Sequence, residues 1–353
     1  MVALFTQHSF SATGIRSLCW RGDELVDWLS GGRAFALDGT ERCPPVAYMY
    51  RFDAATASPD GRFAVIYERR GTKGLLLDDG KILRELNRSF YYAQAYEYPV
   101  ALFREPGGRL LLAHCPKYDR IELEEAETGR PLTASTERKP DDFFHSRLAA
   151  SPNGKRLLSA GWLWGNWSQV VYFDVSQALA DPHHLDWGDR LPYSGRIGLA
   201  EQSSASWLDD ERIAVAASSE PEDPEESREV ETGPRLLPQG LAVYDVASDP
   251  SPDTPCLGAF QFDEPPGTIL AIGRQHVLSL FRHPKLVDLS TGRVLHVWSE
   301  LHSGLQGGPI IWGLDENTKP PPMALDPAGS RFAIASRNAV TVIGFDRSAL
   351  SSQ

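Results

Sequence analysis

The apolar positions of this chain come in short runs, each led in by a polar turn that carries a glycine or an acid. The clearest copy is Ser151-Pro-Asn-Gly-Lys-Arg-Leu-Leu-Ser-Ala-Gly161. Its relatives are Ser58-Pro-Asp-Gly-Arg-Phe-Ala-Val-Ile-Tyr67, Glu105-Pro-Gly-Gly-Arg-Leu-Leu-Leu-Ala113, Leu208-Asp-Asp-Glu-Arg-Ile-Ala-Val-Ala216 and Asp326-Pro-Ala-Gly-Ser-Arg-Phe-Ala-Ile-Ala335. Weaker copies are Ile272-Gly-Arg-Gln-His-Val-Leu-Ser-Leu280 and Arg21-Gly-Asp-Glu-Leu-Val26. A second apolar run follows each copy and usually ends in an acid before the next turn, as in Gly74-Leu-Leu-Leu-Asp78, Val170-Val-Tyr-Phe-Asp174, Leu241-Ala-Val-Tyr-Asp245 and Lys285-Leu-Val-Asp288. In the third copy Arg120-Ile-Glu-Leu-Glu-Glu125 holds that place more loosely. Such runs read as β-strands, and nothing between them sustains a helical period.

Self-similarity at a period of roughly 40 to 60 residues predicts a repeat architecture. Turns near Gly22, Gly61, Gly108, Gly154, Asp210, Gly273 and Gly329 make seven units. Each unit has room for four short antiparallel strands, the content of one propeller blade. The predicted fold is therefore all-β, a seven-bladed β-propeller of four-stranded antiparallel blades forming one domain over residues 1–353. The blades fall at about 14–52, 53–90, 98–135, 143–188, 196–263, 267–301 and 309–346. The last unit offers only three strands, and an open ring would leave unpaired edges. The N-terminal strand 2–9, led by Val2-Ala-Leu-Phe-Thr6, is expected to close it.

The Ser-Pro-Asp-Gly-Arg-Phe and Ser-Pro-Asn-Gly-Lys-Arg turns, with Tyr-Asp or Phe-Asp strand ends, resemble those of divergent bacterial WD40-like propellers over nearly the whole chain. The Gly-His and Trp-Asp dipeptides of the regular family are missing, so its internal hydrogen-bond tetrad does not carry over. The resemblance implies a fold far more than a function.

Composition narrows the function. With 353 residues, 42% hydrophobic and 23% charged, the chain has ample core. No apolar run approaches the roughly 18 residues that would span a bilayer. The start, Met1 to His8, lacks the basic region and apolar length of a secretory signal, so a cytoplasmic location is expected. The formal net charge of -12 argues against a nucleic-acid surface and for a basic partner. Cys19, Cys43, Cys115 and Cys256 are far apart, form no Cys-x-x-Cys pair, and are expected to be free thiols.

Catalytic spacings are scarce. There is no Gly-x-Ser-x-Gly elbow, His-Glu-x-x-His helix, Gly-x-Gly-x-x-Gly loop or P-loop. His183-His184 with Asp186 reads as an exposed loop, because adjacent imidazoles diverge and one carboxylate completes no metal site. His145 reads as a satisfied strand histidine, and Asp141-Asp142 as solvated loop carboxylates. No catalytic residue, cofactor or metal is expected.

Binding features are better defined. In four-strand blades the loops joining the second strand to the third emerge on the same face as the connections between blades, and the unusual segments fall there. The first is a flexible acidic insertion at 219–234, with Glu220, Glu222, Asp223, Glu225, Glu226, Glu229 and Glu231 against Arg228 alone, so it carries -6 of the chain's -12. The second is the loop with Trp162, Trp164 and Trp167, in which Gly165-Asn166 marks a turn that argues against burial of all three rings. The third comprises the long connections Ser89 to Tyr98, with Tyr91, Tyr92 and Tyr96, and His302 to Asn317, with Trp312.

An acidic, aromatic rim points to a non-enzymatic propeller that captures a protein with a basic surface. Arg outnumbers Lys about four to one, which suggests a bacterial protein of a GC-rich genome. A bacterial cytoplasmic propeller with an acidic face is similar to immunity proteins that neutralise toxins from neighbouring cells, and a nuclease toxin must itself be basic. No role for nucleic acid or membrane is expected. The alternatives are a lactonase-like or hydrolase-like propeller enzyme with a site at the channel mouth, and a scaffold with several partners.

Overall fold

The computed structural model describes residues 4–44, 46–134, 137–164, 167–191, 200–218, 234–247, 256–311, 313–315 and 318–350. Seven antiparallel sheets follow one another along the chain. Blade 1 comprises Cys19–Arg21, Glu24–Asp27, Arg33–Phe35 and Glu41–Arg42, and blade 2 comprises Ala54–Ala57, Phe63–Tyr67, Lys73–Asp78 and Lys81–Asn87. Blade 3 has Val100–Arg104, Leu110–Lys117 and Arg120–Glu125. Blade 4 has Leu148–Ala150, Arg156–Trp162, Ser168–Asp174 and Asp189–Arg190, and blade 5 has Gln202–Trp207, Arg212–Ala217, Gly240–Asp245 and Cys256–Gln261. Blade 6 has Ile269–Ile272, His276–Ser279, Lys285–Asp288 and Val294–Val297. Blade 7 has Met323–Leu325, Arg331–Ala335 and Ala339–Phe345, with Phe5–Ser11 as its outer strand.

That outer strand closes the ring, pairing Phe5 with Phe345 through to Ser11 with Ala339. It runs further along the chain than its apolar start indicates, because it is an edge strand and its Thr-Gln-His-Ser stretch needs no buried side. Apolar residues on facing sheets bury the core between neighbouring blades, as where Leu111, Ala113 and Leu123 of blade 3 meet Leu157, Val171 and Phe173 of blade 4. All four cysteines are free thiols, with Cys19 pushed up to about 12 by burial.

The repeated turns explain their own sequence. Gly61, Gly154 and Gly329 all sit at positive φ, between 63° and 70°, where a side chain is strained. At Gly154 a Cβ would also lie 1.8 Å from the Arg104 carbonyl oxygen of the preceding blade. The leading polar residue closes the turn: Ser151 Oγ meets Asn153 Oδ1 at 2.9 Å, and Asp326 accepts from the Ser330 and Arg331 amides.

Blade 3 departs from the expected four strands. Beyond Arg120–Glu125 the described residues make one bridge, Glu124 with Pro131, and proline has no N–H to extend a ladder. The edge is satisfied instead by the Leu132 amide donating to the Leu123 carbonyl, by Thr133 Oγ1 accepting from the Leu123 amide, and by the Arg138 guanidinium donating to the Ile121 carbonyl. Arg138 is itself paired with Asp186 of blade 4, and both side chains are buried.

Candidate interaction surface

We call the side bearing the loops between second and third strands, and the connections between blades, the loop face, and its opposite the turn face. On the loop face the connection from blade 2 to blade 3 is built on Arg88. Its guanidinium is buried and donates to the carbonyls of Gly71, Arg69, Ala93 and Tyr96. It also stacks 4.4 Å from the Tyr96 ring and 4.9 Å from the Tyr98 ring. The chain then turns back at Tyr92, whose φ of 50° lies in the left-handed region. That reversal leaves Phe90 85% exposed and Tyr91 and Tyr92 partly so.

The loop of blade 4 meets this connection. Trp162 is the last residue of its strand and is buried with Tyr96 and Phe144. Trp164 packs edge-on against Tyr92, centroids 5.3 Å apart, and against Phe144 at 5.0 Å, while Tyr91 lies 6.0 Å away. Asp142 ties the group together by accepting from Tyr118 Oη at 2.9 Å and from the Trp164 indole N–H at 2.7 Å. Burial, and then that bond to Asp142, holds the Tyr118 hydroxyl above its usual range. The result is a packed aromatic cluster with a buried floor and an open upper side. Its rings touch one another, so it is a surface and not an empty cage.

The segment after blade 6 crosses the mouth of the central channel on the same face. Gly304 bridges Arg282, a Cβ on Gly308 would approach Ser203 and Ser168, and the Ile311 amide donates to the Ala95 carbonyl. A stretch that touches blades 4, 5 and 6 and the connection before blade 3 must lie over the axis. Gln306 latches it by donating to Glu97 Oε2 at 3.1 Å, and Arg147 lies 3.3 Å from the same oxygen. Burial alone would raise the Glu97 carboxyl, but Arg69 and Arg147 hold it below the usual range. Among the described residues no three His, Cys, Asp or Glu side chains gather where a metal would bind, and no helix is long and apolar enough to cross a membrane.

The predicted site residues divide into three groups. Tyr91, Tyr92, Trp164 and Trp167 are exposed on this face. Trp162 and Tyr96 are buried beneath it, so the contact role expected of them is corrected to one of support; aromatic composition alone does not say which rings form the floor. Glu220, Glu222, Asp223, Glu225, Glu226, Glu229, Glu231 and Trp312 lie outside the described residues, although Ser218 and Pro234, which flank the acidic stretch, are in the loop-face segment of blade 5. Asp142, read as a solvated carboxylate, is instead the clasp of the cluster, and Asp141 pairs with Arg190. His145 is buried with Nδ1 3.2 Å from Ser159 Oγ, and burial lowers it to about 3. His183 lies 3.2 Å from Asp186 in a short turn capped by Asp181.

Sequence reading missed Val46, Met49 and Tyr50, in the connection from blade 1 to blade 2; Met49 is 94% exposed. Their signal was available, since large apolar residues in a segment already assigned to a connection have no strand to serve. With them, eight of the fourteen exposed large apolar side chains among the described residues are on the loop face of blades 1 to 4, too uneven a distribution for scattered surface residues.

No family model matches the chain, and no curated protein matches it in sequence. In fold it is similar to the β-propeller domain of Cps50 (Swd1) from Myceliophteria thermophila, with a TM-score of 0.54 and 12% identity over 97% of this chain and 99% of that one. The likeness is one of architecture.

Proposed function

We propose that this propeller is a non-enzymatic protein-binding module that holds its partner on the loop face of blades 1 to 4. The observation that carries the proposal is the exposed set Met49, Phe90, Tyr91, Tyr92, Trp164 and Trp167, with Trp164 fixed through its indole N–H. Rigid aromatic rings with polar tips supply contact area at low entropic cost, and such rings dominate binding hot spots. The channel mouth, where a propeller enzyme would place its site, is occupied on this face by the latched crossing segment.

The partner has a basic surface. The acidic stretch Glu220 to Glu231 follows Ser218 in sequence and supplies half of the chain's net charge of -12. In its sharpest form the proposal is a cytoplasmic immunity protein that neutralises a cognate bacterial toxin, a nuclease being the basic protein such a charge best suits.

A photoreactive amino acid placed at position 90, and separately at position 187, tests the face. Phe90 is on the loop face, whereas Trp187 is exposed in the turn-face segment of blade 4. One basic protein crosslinked from position 90 in the native cell and not from position 187 is the expected result. Equal crosslinking from both positions, or an acidic product, would contradict the reading.

A further inference from the structure

The reading of the loop face as a protein-binding surface leaves open which side chain the partner places on it, and the charges around the aromatic cluster answer that. Asp142 accepts from two neutral donors, Tyr118 and Trp164, and among the described residues no ion pair involves it. Asp119, next to Tyr118, has a carboxylate oxygen, Oδ1, that is shielded from solvent and has no hydrogen-bond partner among the described residues. The arginines around them are committed elsewhere: Arg190 to Asp141, Arg120 to Glu122 and Arg88 to backbone carbonyls. Lys117 favours the charged form of Asp119, yet burial first, with Asp142 adding to it, still holds that carboxyl above its usual range. Asp142, which meets only neutral donors, and Asp119, whose charge Lys117 and Arg120 offset only in part, thus stand beside exposed rings, and a buried oxygen with no donor is costly.

We infer that the partner seats an arginine here, its guanidinium stacked on Trp164 and Tyr91 and its N–H groups directed to Asp142 and Asp119. A guanidinium is planar, weakly hydrated and able to stack on a ring while donating sideways, which an ammonium does less well and an apolar side chain not at all. The protein already uses this arrangement internally, where Arg88 stacks on Tyr96 and Tyr98 and donates in its plane to carbonyls. The inference rests on the binding reading of this face and narrows it to one anchor.

The test is a titration of the full chain, with 15N-labelled tryptophan indoles observed by NMR, using an acetylated and amidated Gly-Arg-Gly peptide. A second peptide carries citrulline, which keeps the shape and removes the charge. The arginine peptide is expected to move the Trp164 indole signal saturably and the citrulline peptide to leave it in place. Asp119→Asn and Asp142→Asn should each reduce the shift at equal peptide concentration by at least about fivefold, a change within the range of desolvated cation–π and charge contacts. Trp187→Phe should change nothing. Equal shifts by both peptides, or an undiminished shift in Asp119→Asn, would overturn the anchor. A partner still crosslinked from position 90 while the arginine peptide leaves Trp164 unmoved would also refute the anchor, with the docking face intact; failure of both would remove the face itself.

Discussion

On the turn face, charge is spent between blades. Arg104 of blade 3 reaches Asp60 of blade 2 at 2.5 Å, Arg331 of blade 7 reaches Asp23 of blade 1 at 2.7 Å, and Asp210 of blade 5 accepts from the Asn153 amide of blade 4 at 2.8 Å. The loop face around blades 2 to 4 is different: exposed rings lie above a buried floor, and beside them, among the described residues, Asp142 meets only neutral hydrogen-bond donors and Asp119 Oδ1 meets none. On one side of the ring charged groups pair across blades, whereas on the other the carboxylates beside the aromatic cluster keep open hydrogen-bonding capacity. Each exposed ion pair on the turn face is worth little by itself, so the frame rests on burial and turn geometry.

Changes to the frame should cost stability and spare binding, whereas changes to the loop face should do the reverse. The largest effect is expected for Asp186→Ala, which strands the buried Arg138 at the incomplete edge of blade 3. A loss of roughly 3–5 kcal/mol in denaturant unfolding is predicted, as for a buried pair with one partner removed. Gly154→Ala drives a Cβ into the Arg104 carbonyl at a left-handed position, and about 2–3 kcal/mol should be lost in the same measurement.

Trp164→Ala with Trp167→Ala should weaken partner binding by about 2 kcal/mol or more in calorimetry and leave the unfolding midpoint nearly unchanged. Affinity that survives the double change would return both rings to ordinary surface. His145 supplies a pH test of the frame beneath this face. It is buried neutral with a pKa of about 3, against an ordinary value of 6.5, so the unfolded chain takes up a proton that the folded chain refuses as pH falls through that window. Stability should therefore drop between pH 7 and pH 5, by on the order of 2 kcal/mol, and His145→Asn should flatten the drop. Deleting Glu220 to Glu231 is expected to slow association about tenfold at low salt and to flatten its salt dependence, without touching dissociation.

The frame was readable because each blade repeats its instructions locally. A Ser-Pro-Asx-Gly turn specifies its own hydrogen bonds within a few residues, as Ser151 and Asn153 do, and the apolar runs behind it state their own strands. Blade 3 lost its outer strand to contacts that no local pattern announces, since Arg138 reaches back across 17 residues to Ile121 and sideways to Asp186. The crossing segment was hidden for the same reason, with Gln306 and Glu97 separated by 209 residues. At the candidate site, composition placed aromatics on the correct face but could not sort Trp162 from Trp164. Asp142 was passed over because its two donors come from different blades.

Oxidative footprinting of the free protein against its complex tests the central claim most directly, because the residues that report are those the claim names. Protection should fall on Met49, Phe90, Tyr91, Trp164 and Trp167 and leave Trp187 as reactive as in the free chain. Protection centred on Trp187 and the turn face, with the loop-face rings unchanged, would contradict it.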